Sequence, residues 1–252
     1  MKKVLLYSGG TDSWLISKIA KPDIKLFFDI GTSSSNAEMK HLPKDVVIDE
    51  TLKGLGTLER EDGSFILPLR NLYFIARAAE YGDHIILGCN RTDAHNDKTL
   101  EFAEKVQDLL NYYYGPSADG LSEIKDITVD FSYKKYSKAE LLKLYIDNGG
   151  TVEEYINNTF SCYTPIKEVD KDGNTQYHDC GHCKPCMNKF MAIAVNHFEM
   201  SDKYASRFID ILEDKIKTIK EGHPHRYYTL EQFEDALEQA KTAKKRLEEN
   251  NN

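Results

Sequence analysis

Residues 2–20, KKVLLYSGGTDSWLISKIA, set an apolar run against a Ser-Gly-Gly-Thr-Asp-Ser turn and then resume at helical spacing. Residues 3–7 read as a short buried strand, and Trp14, Leu15, Ile16 and Ile19 fall on the period of a helix over residues 12–20. The join has a mechanical logic. Glycine permits positive φ, and the missing side chains at Gly9 and Gly10 let an anion's oxygens approach backbone N–H groups. The start of the following helix adds partial positive charge. Ser8, Thr11 and Ser13 offer hydroxyls around the same cradle, and Asp12 is placed to cap the helix or to orient a magnesium ion beside bound phosphates. A bare Gly-Gly turn would be a plain connection, but the whole string directly after the first strand points to phosphate binding. No lysine follows the glycines, which separates this turn from the G-x-x-x-x-G-K-[ST] loop.

Further strands are expected at residues 24–30, 45–49, 84–88 and 126–132, and helices at 71–81, 99–114 and 137–148, the last with Ser137 as N-cap. Residues 31–44 are too polar and too short for a full helix, and residues 51–64 read as an irregular excursion. Strands alternating with helices predict an α/β fold with a doubly wound parallel sheet. Two amphipathic helices are expected near residues 187–221 and 229–249. The second carries Leu230, Phe233, Leu237, Ala240 and Leu247 on one face, suited to packing on its own domain rather than on a second copy. The expected division is an α/β domain at residues 1–158 and a metal-binding helical region at 159–252.

Four of the five cysteines fall at positions 162, 180, 183 and 186. In a cytosolic chain such a cluster favours metal over disulfides. Closely spaced thiolates reach one tetrahedral ion, Cys162 closes the site with Cys180, Cys183 and Cys186, and four protein ligands leave no open position, which makes structural zinc the expected occupant. An iron–sulfur cluster is the rival. His182 is a spare donor, and Cys89, directly after a strand, reads as a small buried residue.

The chain has 252 residues, 40% hydrophobic and 29% charged, with a formal net charge of -8. That acidity argues against a nucleic acid as direct partner. No apolar run approaches bilayer length, and Met1-Lys2-Lys3 leads straight into a strand, so a soluble cytoplasmic chain with no membrane partner is expected.

The turn resembles the phosphate loop of the ATP pyrophosphatase (PP-loop) superfamily. Its members cleave ATP between the α and β phosphates, adenylate a carboxylate or carbonyl oxygen, and let a nitrogen or sulfur nucleophile displace AMP. Together with the cysteine set, the chain over residues 3–191 is similar to the 7-cyano-7-deazaguanine synthase (QueC) family of the queuosine pathway. The shared stretches are SGGTDS, FFDIG (27–31), LPLRNLYFIARAA (67–79), GCNRTD (88–93), Lys138 opening a helix, FSCYTP (160–165) and CGHCKPC (180–186). This resemblance implies an adenine nucleotide alpha hydrolase-like fold and a carbon–nitrogen ligase. Such an enzyme takes ATP with magnesium, 7-carboxy-7-deazaguanine and ammonia, and works as a homodimer.

The roles it implies fall on matching residues. Ser8, Gly9, Gly10, Thr11, Asp12 and Ser13 would hold the nucleotide; Asp12, Ser13, Arg70 and Lys138 would act at the reacting phosphate; Asn71, Asn90, Asp93, Asp97, Phe160 and Tyr163 would bind the acceptor. The chain departs from the family at TSSS (32–35), where members continue with glutamine, arginine and histidine. It departs again at HNDKT (95–99), which stands for tyrosine-proline-aspartate-cysteine-arginine and keeps only Asp97. A tRNA thiolation enzyme would need a persulfide cysteine and usually a basic surface, and a non-catalytic nucleotide- or zinc-binding module would show a broken phosphate loop. The string here is intact.

Overall fold

Lys3–Leu6 (β1) is buried except at its first residue, as a strand with neighbours on both sides requires. The computed structural model describes residues 1–32, 35–60, 67–93, 95–116, 123–169, 171 and 175–250. It divides into two compact units, residues 1–135 and 136–252.

In the first unit β1 is followed by α1 (Thr11–Ala20), β2 (Ile24–Phe28), α2 (Ser35–Lys40), β3 (Val46–Asp49), α3 (Arg70–Ala78), β4 (His84–Leu87), α4 (Leu100–Tyr113) and β5 (Thr128–Asp130). The sheet order is β3-β2-β1-β4-β5 and every pairing is parallel, with Val4 opposite both Ile24 and Ile85. Strand alternation sends Val4, Leu6, Leu26, Phe28, Ile85 and Leu87 into one core cluster with Ile75, Val106 and Leu110 of the helices. Leu5, Phe27 and Ile86 are buried on the opposite face, as are Leu15 and Ile16 of α1. The chain winds outward from β1 through β2 to β3 and then returns to β4 beside β1. The crevice where ligands bind in open α/β sheets therefore lies at the carboxyl ends of β1 and β4.

The expected elements are present with local differences. Residues 31–44 contain a helix of six residues, α2, and residues 53–58 of the irregular excursion form a 3-10 turn, while 33–34 and 61–66 lie outside the described residues. The helix expected from residue 71 begins at Arg70, with Leu69 as its N-cap at φ +58°.

The second unit contains α5 (Lys138–Asp147), α6 (Val152–Asn157), the antiparallel pair β6 (Ile166–Val169) and β7 (Thr175–His178), α7 (Lys184–Ala194), α8 (Asp202–Ala205), α9 (Ile209–Lys220) and α10 (Leu230–Asn250). The division at residues 135 and 136 places α5 and α6, whose residues fall in the expected span 1–158, in this unit. Ser137 caps α5 through a full capping box with Glu140, as its sequence position implies. Thr151 and Glu154 do the same for α6, a helix the sequence reading passed over.

The single helix expected over 187–221 is three. α7 ends before Asn196, whose side chain donates to the carbonyls of Ala139 and Ala192 at 3.0 and 2.8 Å. His197 then takes φ +51°, and Ser201 caps α8 by accepting from the Tyr204 N–H. α7 is buried nearly all round, and Phe190 stacks on Phe208 at 4.5 Å. α10 packs on α7, α8 and α9 through Phe233, Ala236, Ala240 and Ala243, so its apolar face is used within the unit. Among the described residues no helix is long and apolar enough to cross a membrane.

Candidate nucleotide and metal sites

The turn after β1 is built as its glycines require. Gly9 has φ +72°, and a Cβ there would lie 3.3 Å from Leu42 Cδ2. Gly10 is the N-cap of α1 with no side-chain cap, and the first helical bond runs from the Trp14 N–H to the Gly10 carbonyl at 3.0 Å. The amides of Thr11, Asp12 and Ser13 precede that bond, at the helix end where anions gather. Ser13 organises the turn: its Oγ accepts from the Ser8 N–H, lies 3.2 Å from Ser8 Oγ and donates to the Gly10 carbonyl. Thr11 and Ser13 are buried, and Asp12 is half-buried on the first turn of α1. A turn with glycine at residues 9 and 10, lined by hydroxyls at a ten-residue helix start, fits a polyphosphate with its magnesium ion.

All five strands close with the same device, a short polar side chain accepting the N–H two residues on. The pairs are Ser8 with Gly10, Asp29 with Gly31, Asp49 with Thr51, Asn90 with Thr92 and Asp130 with Ser132. The closures of β1 and β4 touch through a residue the sequence reading missed. A Cβ at Gly88 would lie 3.2 Å from both Cα and Cβ of Ser13, so a side chain there would have to push the first turn of α1 back by a few tenths of an ångström.

Beyond Gly88 the loop is fastened to itself. The Asp93 carboxylate accepts from the Asn90 N–H at 2.9 Å and from Lys98 Nζ at 2.7 Å, while Lys134 Nζ donates to the Asp93 carbonyl at 2.6 Å. Asn90 and Asp93 are thus brought together, with the Asn90 side-chain oxygen and the Asp93 carboxylate engaged in holding the loop. Cys89 is fully buried, and burial, with Asp93 beside it, pushes its thiol up to about 12. That is an inert thiol, as its sequence position suggested.

Asn71 and Asp97 form a second pair. Asn71 Nδ2 donates to the Asp97 carboxylate at 2.8 Å, so Asp97, the one family residue kept in HNDKT, is fixed by the helix that also carries Arg70. Arg70 is half-buried and follows Leu69, an exposed aliphatic residue in the left-handed region, where sterics cost about 1–2 kcal/mol. Such strain recurs at functional positions.

The second unit holds the remaining residues. Lys138 is the first residue of α5 and half-buried, Phe160 is 4% exposed within the unit, and Tyr163 is 72% exposed. The sulfur atoms of Cys162, Cys180, Cys183 and Cys186 all lie within 4.8 Å of one another. Cys183 Sγ is 3.8 Å from Cys162 Sγ and 3.3 Å from Cys186 Sγ, against about 3.8 Å between sulfurs on a tetrahedral ion with bonds of about 2.3 Å. Backbone N–H groups of Cys180, His182 and Cys183 point at the sulfurs of Cys162 and Cys180, and the Thr164 hydroxyl donates to Cys180. The hydrogen bond with Cys186 lowers the Cys183 thiol below its ordinary value. Four sulfurs with donors already aimed at them could hold a metal ion and suit zinc. His182 is exposed and contributes its backbone alone to this arrangement.

Residues 22–197 match the family described as queuosine biosynthesis protein QueC. The matched span runs from just before β2 past the end of α7 and takes in all four clustered cysteines. It starts after the turn of residues 8–13, whose reading stands on its own geometry. A comparison with curated proteins gave no match.

Proposed function

The chain belongs to the QueC family of queuosine biosynthesis proteins, and from that membership we propose that it converts 7-carboxy-7-deazaguanine and ammonia to 7-cyano-7-deazaguanine at the expense of ATP. The observation that carries the reading is the glycine turn, a phosphate cradle at the carboxyl end of β1 packed against Gly88 of β4 at the sheet's switch point. Magnesium would neutralise the phosphates beside Asp12 and make pyrophosphate a better leaving group. The backbone and hydroxyls of residues 8–13 hold the nucleotide, and Arg70 and Lys138 supply cations for the charge that develops at the α-phosphate.

The acceptor's carboxylate oxygen forms a bond to the α-phosphorus as pyrophosphate leaves. Ammonia then forms a bond to the carboxyl carbon, AMP departs, and an amide results. A second ATP activates the amide oxygen in the same way, and loss of AMP with the amide protons leaves the nitrile. A carboxylate is a poor electrophile until its oxygen is made a leaving group, which is why the chemistry needs the nucleotide twice. Asn71, Asn90, Asp93, Asp97, Phe160 and Tyr163 are proposed to bind the deazaguanine base, and structural zinc is proposed to occupy the four cysteines.

The test incubates the protein with 7-carboxy-7-deazaguanine, ATP, magnesium and ammonium, following the base by mass spectrometry and the nucleotide by chromatography. The nitrile is expected, with two AMP and two pyrophosphate for each molecule formed. Amide as the final product would limit the enzyme to the first activation. ADP and phosphate would sink the adenylation chemistry. AMP release with some other carboxylate, and none with this one, would sink the deazaguanine assignment alone.

A further inference from the structure

Lys189 stands three residues beyond Cys186 on α7, and its side chain is 2% exposed. Its Nζ donates to the carbonyls of Ile156 and Thr159 at 2.9 and 2.8 Å and to Asp179 Oδ2 at 2.9 Å. Two carbonyls and a carboxylate can only accept, so the three bonds use all three protons of an ammonium group. The partners are not random neighbours. Thr159 opens the stretch that delivers Cys162. Asp179 directly precedes Cys180, and its carbonyl is held in turn by Arg207. Lys189 itself rides on the helix that has Cys183 as its N-cap and Cys186 in its first turn. One buried atom therefore fastens together every segment that supplies a sulfur.

We propose that Lys189 is the positioning residue of the metal centre. It ties the three sulfur-bearing segments to one another around the ion, and it offsets the negative charge of the filled site. Four thiolates around a dication carry a net charge of about −2, which is costly to bury without a nearby cation. This inference rests on the cysteines binding a metal and is independent of which acceptor the enzyme uses.

The test uses the full zinc-loaded chain and measures zinc transfer to an excess of a chromophoric chelator. Lys189→Met keeps most of the unbranched side chain, one atom shorter, and removes its donors. Its zinc is expected to leave about 10–100-fold faster than that of the unaltered protein, the range typical of lost outer-shell partners. Asp179→Asn, which keeps an acceptor and removes the charge, is expected to give a smaller acceleration, and it decides the question if the Met variant does not fold. Phe233→Leu, a core change in α10, separates positioning from general stability and is expected to release zinc at the unaltered rate. Release at that same rate from folded Lys189→Met, or from Asp179→Asn where the Met variant fails, would overturn the proposal. So would a Phe233→Leu variant that loses zinc as fast as Lys189→Met at equal thermal stability.

Discussion

Both units must hold side chains from distant segments at one point, and they do so over different distances along the chain. In the first unit parallel hydrogen bonding sets the strand ends side by side, and each end is closed by a bond to the residue two positions on. In the second unit the only sheet among the described residues is a pair of four-residue strands, β6 wholly exposed and β7 alternately exposed and half-buried. There the work falls to long-range ties: Lys189 reaches Thr159 and Ile156 thirty and thirty-three residues away, and the sulfurs converge from positions 162 to 186. Each local closure needs only three consecutive residues. A centre assembled from non-local arms depends on all of them at once.

The largest expected effect follows from that contrast. Stripping the metal with a strong chelator at neutral pH should remove on the order of 10 kcal/mol of binding free energy from the second unit. Hydrogen exchange should then lose protection over residues 159–194 while β1 to β5 stay protected. Protection lost in both units, or in neither, would break the comparison.

Next comes the cradle. Asp12→Ala takes a half-buried carboxylate from the first turn of α1 and leaves the core intact, so ATP turnover should fall at least about a hundredfold with an unchanged melting curve. A variant that melts earlier in proportion to its lost turnover would make Asp12 structural.

A smaller effect tests one strand-end carboxylate by pH, a group held both by Thr51 and by the distant Arg77 and Tyr81. Burial raises the Asp49 carboxyl, but bonds from Thr51, Tyr81 and Arg77 outweigh it and hold the group at about 2, below its ordinary 3.8. A lowered folded value stabilises above the unfolded one and is lost as pH falls through the folded one. About 2 kcal/mol should therefore be present above pH ~4 and disappear toward pH ~2. Urea titrations of the unaltered protein and Asp49→Asn should show a stability gap that closes over that window. A gap independent of pH would remove the charged closure from the account.

The smallest effect concerns the fifth cysteine. With its thiol pushed up to about 12 and its side chain fully buried, Cys89 should resist iodoacetamide at pH 8 in the native protein. Cys89→Ala should change ATP turnover less than about twofold, because the group neither ionises nor reaches solvent. Ready alkylation of the folded chain would return a sulfur-handling role to consideration.

These differences in reach also explain what the sequence disclosed. Residues 2–20 carry their whole logic within nineteen positions, and strand, turn and helix are found where the pattern puts them. The Ser137 cap and the cysteine spacing were legible for the same reason. Gly88 was not, because its meaning lies in an approach to Ser13, seventy-five positions earlier. Nothing in the sequence singles out Lys189, and only folding shows three acceptors around it. α6 had a legible signal, Thr151 with Glu154, but six residues give too little periodicity to register. The breaks between α7 and α9 come from side-chain bonds such as that of Asn196 to Ala139, which an apolar period does not encode.

The five closing turns differ in one further respect. Ser8 and Asn90, which close the two strands at the switch point, are neutral, whereas Asp29, Asp49 and Asp130 close the outer strands with carboxylates. Serine or asparagine makes the same turn as aspartate, so backbone geometry does not demand the difference. Each of the three carboxylates has a basic partner, Lys53 at 3.2 Å from Asp29, Arg77 at 2.8 Å from Asp49 and His84 at 3.0 Å from Asp130, while the gap between β1 and β4 is closed by groups that need none. Asp93, the carboxylate of the loop beyond that gap, is covered by Lys98. Asp12 stands on the helix that opens into the gap, and a carboxylate there becomes a neighbour of phosphate only across a cation. The closures beside the phosphate turn thus add no charge to it, and those of the outer strands add charge that is already paired.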